Sequence, residues 1–147
     1  MIFDLTELFS NAQAITATAA STNIIDTGAP GTVYGAAAAL RRDLGKGNGI
    51  PLAIRVVQSF NNLTSLIITY EVADDAAFTT NKTTVFTSPT YALADLASGA
   101  RHLLPDLVPV GADRRYHRLL YTIAGTAPTL GQITAGVVMG NQTNSIL

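Results

Sequence analysis

The chain has 147 residues, of which 48% are apolar and only 13% charged, with a formal net charge of −1. That length suits one domain able to bury roughly 68–70% of its unfolded surface, and so weak a net field gives nucleic acid or an anionic membrane little to be drawn by. The absence of cysteine excludes a disulfide scaffold, a thiolate metal site and a cysteine nucleophile.

Residues 1–12 carry Asp4 and Glu7, no basic residue and no long apolar run, so they do not read as a signal peptide. They read as an N-terminal arm whose apolar residues, Ile2, Phe3, Leu5, Leu8 and Phe9, are too dense for a free tail. The arm is therefore expected to pack on the body or on a sister subunit. Eight strands are then predicted, roughly at Gln13–Ala20, Thr22–Asp26, Pro51–Gln58, Leu63–Val72, Lys82–Thr87, Tyr91–Asp95, Tyr116–Ile123 and Gly131–Met139. Short runs rich in Thr, Val, Ile and Tyr between Gly, Pro, Asn and Asp give an all-β reading. The architecture expected is a single-domain antiparallel β-sandwich of jelly-roll type, with an N-terminal arm and long loops. One long loop, Ala29–Gly49, holds Pro30, five glycines and the run Ala36–Leu40, which suggests a short helix ending near Gly45. A second meandering connection, Ala97–Asp113, carries Pro105 and Pro109.

Several strands place a large apolar residue on their outward row. Leu66, Ile68, Tyr70 and Val72 form one row while Ile67 points away among Ser65, Thr69 and Glu71. Leu120 opposes Leu119, Tyr121 and Ile123, and Val138 opposes Ile133, Ala135, Val137 and Met139. Such residues suggest a second face covered by another molecule. The competing explanation is coverage by the two long loops of the same subunit. Low charge favours assembly, because a surface of hydroxyls and methyls is cheaper to desolvate than a charged one.

Catalytic and metal motifs are scarce. His102 and His117 lie far apart in sequence and lack the close His-x-His spacing of a cupin metal site. No metal and no cofactor is expected, and His117 reads as a hydrogen-bonded inward residue near a sheet edge. Asp74 and Asp75, adjacent on the chain, would face opposite ways on a strand. With Ala76, Ala77 and Phe78 they read as a polar turn with an aromatic plug. Gly45–Gly49 lacks phosphate-loop spacing and reads as a tight turn into Pro51. Asn62–Leu63–Thr64, Asn81–Lys82–Thr83 and Asn141–Gln142–Thr143 match the glycosylation pattern by chance in a Thr-rich chain without a signal peptide. Arg114, Arg115, His117 and Arg118 form the densest basic cluster and Arg41, Arg42 and Lys46 a second; both read as solvated or as partners of an acidic protein surface rather than of nucleic acid.

The order of these segments carries a resemblance. Met1–Asp4, Phe9–Ser10 and Gln13–Ala19 open the chain, and Arg42–Gly45 leads to Pro51–Leu52. Arg115–Leu119, Tyr121–Thr122 and Ile133–Val137 follow. Over nearly its whole length the chain resembles the jelly-roll capsid cement (decoration) proteins of tailed bacteriophages. His117 departs from the pattern, standing where an aliphatic residue is expected. The resemblance implies a non-enzymatic virion protein, made in the host cytoplasm, that binds the outside of a shell of major capsid protein. It would act as a homo-dimer or homo-trimer, with neither nucleic acid nor membrane as partner. The interface candidates are Ile2, Phe3, Leu5, Leu8, Phe9, Arg41, Arg42, Lys46, Ile67, Arg114, Arg118, Leu120 and Val138. A glycan- or ligand-binding module of a phage tail or fibre is the alternative, and it would require exposed aromatics grouped along a groove.

Overall fold

The computed structural model describes residues 2–99 and 102–140; the Asn141–Gln142–Thr143 pattern lies outside them. Among the described residues, nine strands form two antiparallel sheets: β1 (Phe3–Ala14), β2 (Ala19–Ala20), β3 (Ile25–Asp26), β4 (Leu52–Gln58), β5 (Leu63–Ala73), β6 (Thr83–Thr87), β7 (Tyr91–Ala92), β8 (Tyr116–Gly125) and β9 (Gln132–Val138). One sheet has the order β1-β9-β4, and the segment around 103–107 extends it through bridges Ile54↔Leu103 and Pro51↔Leu107. The other has the order β2-β8-β5-β6, with β3 also on β8 and β7 also on β5. The first strand thus pairs with the last, β2 and β3 with β8, β4 with residues 103–107, and β5 with β6 and β7. That nesting is a long antiparallel ribbon rolled upon itself, the topology of a jelly roll.

Alternation explains the core. Leu66, Ile68, Tyr70 and Val72 of β5 face inward beside Ile123, Tyr121, Leu119 and His117 of β8, in that register. Leu52, Ile54 and Val56 of β4 and Ile133 and Ala135 of β9 close the core from the other sheet. Some of the polar atoms taken inside are paired with one another. The Tyr121 hydroxyl lies 2.9 Å from Ser10 Oγ, which in turn donates to the Gln13 side-chain amide oxygen Oε1 at 2.7 Å.

Several expectations need correction. The arm and the strand at Gln13–Ala20 are replaced by one long strand, Phe3–Ala14, beyond which residues 15–18 leave the sheet. Three register shifts against β9 and a positive φ of 46° at Ala12 switch which side chains face inward, so a two-residue period is not visible there. Of Thr22–Asp26 only Ile25–Asp26 is strand, and Tyr91–Asp95 gives way after Ala92 to a 3-10 helix, Leu93–Leu96. The helix suggested at Ala36–Leu40 does not form. Val33 and Leu40 are about half exposed there, at 52% and 50%, so a helix would have no apolar face to bury, and so short a helix is not stable by propensity alone. His117 is inward, as expected, but β8 lies between β3 and β5 rather than at a sheet edge.

The turn at Asp74–Asn81 matches its reading. Asp75 accepts hydrogen bonds from the backbone N–H groups of Thr79 and Thr80, and Phe78 is buried. Entry into β9 depends on Gly131, whose φ is +138° and whose carbonyl accepts from Ile15 N–H at 3.0 Å. A Cβ at this position would overlap the Phe60 ring. Gly131→Ala is therefore expected to cost about 2–3 kcal/mol, from left-handed strain plus overpacking. Urea denaturation would detect this as a lowered midpoint at unchanged slope.

Candidate interaction surfaces and a pocket between the sheets

The outward face of the β5–β8 pair carries the first candidate surface. Ile67 sits opposite Thr122, and Leu120 opposite Thr69. The two apolar side chains are therefore diagonal neighbours on one face, within reach of each other. Both are half-buried. Val138 does not join them. It lies on the other sheet, and although it points away from the core as alternation predicts, it is only 3% exposed, opposite Phe3 of β1. Met139 also departs from its expected inward row: it follows the end of β9 and is 85% exposed.

The arm residues divide. Ile2 and Leu5 are exposed, Phe3 is half-buried, and Leu8 and Phe9 are buried. Phe9 makes an edge contact with Tyr70, with ring centroids 5.7 Å apart. Leu8 fills the space over Gly136, where a Cβ would come within 2.7 Å of it. Leu8 and Phe9 are thus part of the packing of this subunit and offer nothing to a partner.

The basic clusters are largely neutralised from within. Arg114 donates two hydrogen bonds to Asp74, at 2.8 and 2.7 Å, and Arg115 does the same to Asp26, at 2.6 and 2.7 Å. The Arg115 guanidinium is the main reason the Asp26 carboxyl titrates low, at about 2. Asp74 is also held below the usual carboxylate range, first by Asn81 and then by Arg114. Arg118 donates to Glu71 from Nε at 2.8 Å and from Nη2 at 2.7 Å, and its guanidinium lies 4.1 Å above the Phe78 ring. Glu71, on the outward row as its place in the alternation predicts, is buried between Arg118 and Lys82, whose Nζ lies 3.4 Å away. Arg114 and Arg118 are therefore intramolecular partners rather than free contacts. Arg41 approaches Asp113 at 3.7 Å, whereas the exposed Arg42 and Lys46 side chains make no ion pair with a described residue.

Two features went unseen in sequence. The bridge Ile54↔Leu103 sets Arg55 directly opposite His102 on the outer face of the smaller sheet. Arg55 Nη2 lies 2.7 Å from His102 Nε2, and Arg55 Nε and His102 Nδ1 are buried without hydrogen-bond partners. A lone arginine inside the apolar run Leu52–Val57 is the signal that could have marked this pair.

The second feature is a cavity of about 240 Å³ between the sheets, walled by Phe9, Ile25, Leu44, Leu52 and Val137. Its polar lining residues are the accessible Glu7, Asp26 and Thr27 and the buried Tyr70 and His117. The Tyr70 hydroxyl lies 3.2 Å from His117 Nδ1, and Nε2 is buried without a hydrogen-bond partner. Burial pushes His117 down to about 4, an effect that the nearby Arg114 backbone only partly offsets. Desolvation, with the neighbouring Asp4 charge, raises the Glu7 carboxyl above its ordinary range. Among the described residues, no group of three His, Asp or Glu side chains is placed to hold a metal ion.

No curated protein matches the chain. A family match extends over residues 9–137, from the middle of β1 almost to the end of β9, so it takes in both sheets and the long loop between them. The chain belongs to the Bbp16 family.

Proposed function

We propose that this protein is a bacteriophage capsid cement or decoration protein, which binds the outside of the assembled major-capsid-protein shell as a homo-oligomer. The observation that carries the proposal is the Ile67–Leu120 pair, set among threonines on an outward sheet face. Burying methyls and hydroxyls against a partner carries a small desolvation cost. The arginines nearest that face already have carboxylate partners, so they need not be stripped of water unpaired. A ligand that recognises only the assembled lattice stabilises it by mass action, and many copies multiply a modest contact. The glycan-binding alternative fits less well. Among the exposed large apolar side chains of the described residues, Tyr34 is the single aromatic, and it stands on the long loop rather than in a groove with others.

The test is co-sedimentation with assembled shells and with free capsid subunits, alongside the gel-filtration mass. Binding to shells but not to free subunits, by an oligomer, is the expected result. Ile67→Asp and Leu120→Asp should each keep the sandwich's circular dichroism and thermal transition while weakening shell binding at least about tenfold, since each buries a charge in the contact. A monomer that ignores shells would end the reading. Undiminished binding by both variants would move the contact elsewhere.

A further inference from the structure

We infer that the long loop carries the contact between two copies of this chain, with Tyr34 of one copy seated in the pocket between the sheets of the other, a reading that rests on the homo-oligomer proposed above and names its contact. Every residue from Thr27 to Arg42 is exposed, and Tyr34 fully so. No charged residue falls between Thr27 and Leu40, so this surface costs little to desolvate. The tip is nonetheless ordered from within. Ala36 N–H donates to the Val33 carbonyl across a tight turn in which Gly35 has a φ of 79°, and Leu40 N–H donates to the Gly31 carbonyl behind it. These bonds fix the backbone on either side of Tyr34 before any partner arrives, which lowers the entropy cost of docking. An exposed tyrosine on a fixed, uncharged tip has the make-up of an interface anchor.

The pocket supplies the complementary half. Ile25, Leu44, Ile50 and Val137 are half-buried in its lining and so present apolar surface to an entering ring. Its volume of about 240 Å³ lies below the ~300–1,000 Å³ of sites for drug-sized ligands and suits one aromatic side chain. Glu7, half-buried in the same lining, has neither a hydrogen-bond donor nor a cation on its carboxylate among the described residues, and a phenol hydroxyl donates. Thr27 and Leu44, which flank the loop, both line the pocket, whereas Tyr34 does not line the pocket of its own subunit. Turning the rim of one copy toward that of another therefore sets each tip over the partner's pocket, a self-complementary twofold contact. The charges agree, because the exposed Arg42 at the base of the loop has no ion pair with a described residue and the mouth it would face carries Glu7. Loop and rim together amount to about 20 residues a side, the size of a standard interface.

The experiment uses the full chain. Analytical ultracentrifugation over a dilution series is expected to show a dimer, which Tyr34→Ala weakens at least about a hundredfold because a twofold contact loses its anchor twice. Tyr34→Phe, which keeps the ring and removes the hydroxyl, should weaken it about tenfold. Both variants alter a fully exposed side chain and should keep the parent's circular dichroism. Mixed dimers of methyl-labelled and unlabelled chains should give intermolecular nuclear Overhauser effects from the Tyr34 ring to the methyls of Ile25, Leu44, Ile50 and Val137. A monomeric parent would overturn both this contact and the homo-oligomer of the proposed function. An oligomer that survives Tyr34→Ala, or that lacks those Overhauser effects, would overturn the contact alone and leave shell binding standing. Weakened shell binding by Tyr34→Ala at unchanged mass would make the capsid subunit the partner of the loop, which overturns the assignment to a second copy.

Discussion

Arg118→Leu is expected to lower the stability of the protein by about 3 kcal/mol, because it strands the Glu71 carboxylate in a site it cannot leave. The Glu71 side chain is only 4% exposed and Arg118's is 19% exposed, so neither charge is screened as a surface pair would be. Lys82, 44% exposed and 3.4 Å from the other carboxylate oxygen, supplies only part of the lost compensation. The substitution also removes the guanidinium that lies over Phe78 and roofs the Asp74–Asn81 turn. The double variant Arg118→Leu/Glu71→Leu separates the causes. Without the stranded charge, most of the lost stability should return, since replacing both partners of a buried pair with apolar groups is often neutral. Urea denaturation of the two single variants and the double variant measures this directly. If Arg118→Leu unfolds at the same midpoint as the parent, the cluster contributes nothing to stability.

The second large effect follows pH and is assigned to His117. Its pKa is about 4 when folded and about 6.5 when the ring is free in water. Between those values the unfolded chain binds the proton more readily than the folded one. The contribution of this residue is therefore complete above about pH 6.5, declines as pH falls, and is exhausted below about pH 4. The difference amounts to about 3 kcal/mol. Glu7 works in the opposite sense over a narrower range, because its raised pKa makes the folded state the better proton binder just above the ordinary carboxylate range. The expected measurement is a fall in unfolding free energy from pH 7 to pH 4 that is substantially flattened in His117→Leu. That variant also removes the partner of the Tyr70 hydroxyl, so its stability at pH 7 should drop by about 1 kcal/mol. An equally steep decline in parent and variant would assign the acid sensitivity to other groups. The position is informative for a further reason. An aliphatic residue would pack there without any acid response, so the histidine adds one at a place where packing alone does not require it.

The two variants probe different sides of the same strand. Arg118 points to the outward face and His117 to the core, and the alternation visible in Tyr116–Ile123 already assigned them so. What the strand could not disclose was the company each residue keeps. Glu71 lies on β5, Lys82 just before β6 and Phe78 in the turn between those strands, and they reach Arg118 only because β5 pairs with both β6 and β8. The same pairing brings Tyr70 to His117 and turns a histidine without a sequence motif into part of a cavity wall.

Local pattern alone determined the all-β class, the strands at β4, β5, β6, β8 and β9, and most of the core-facing residues of β5, β8 and β9, because a half-buried strand alternates over its regular stretches. It failed on β1, where three register shifts break the alternation, and on Ala36–Leu40, where helix-forming residues have nothing to pack against. It also placed Ile67 and Leu120 on the outward face, but direction is not exposure. Val138 points outward and is nevertheless buried, while Arg114 and Arg118 look free in sequence and are bound to Asp74 and Glu71. Burial and charge pairing are decided by residues brought close from distant parts of the chain. The tertiary structure alone therefore settled which outward residues are open, which cations are spent, and that a cavity lies behind Glu7 and His117.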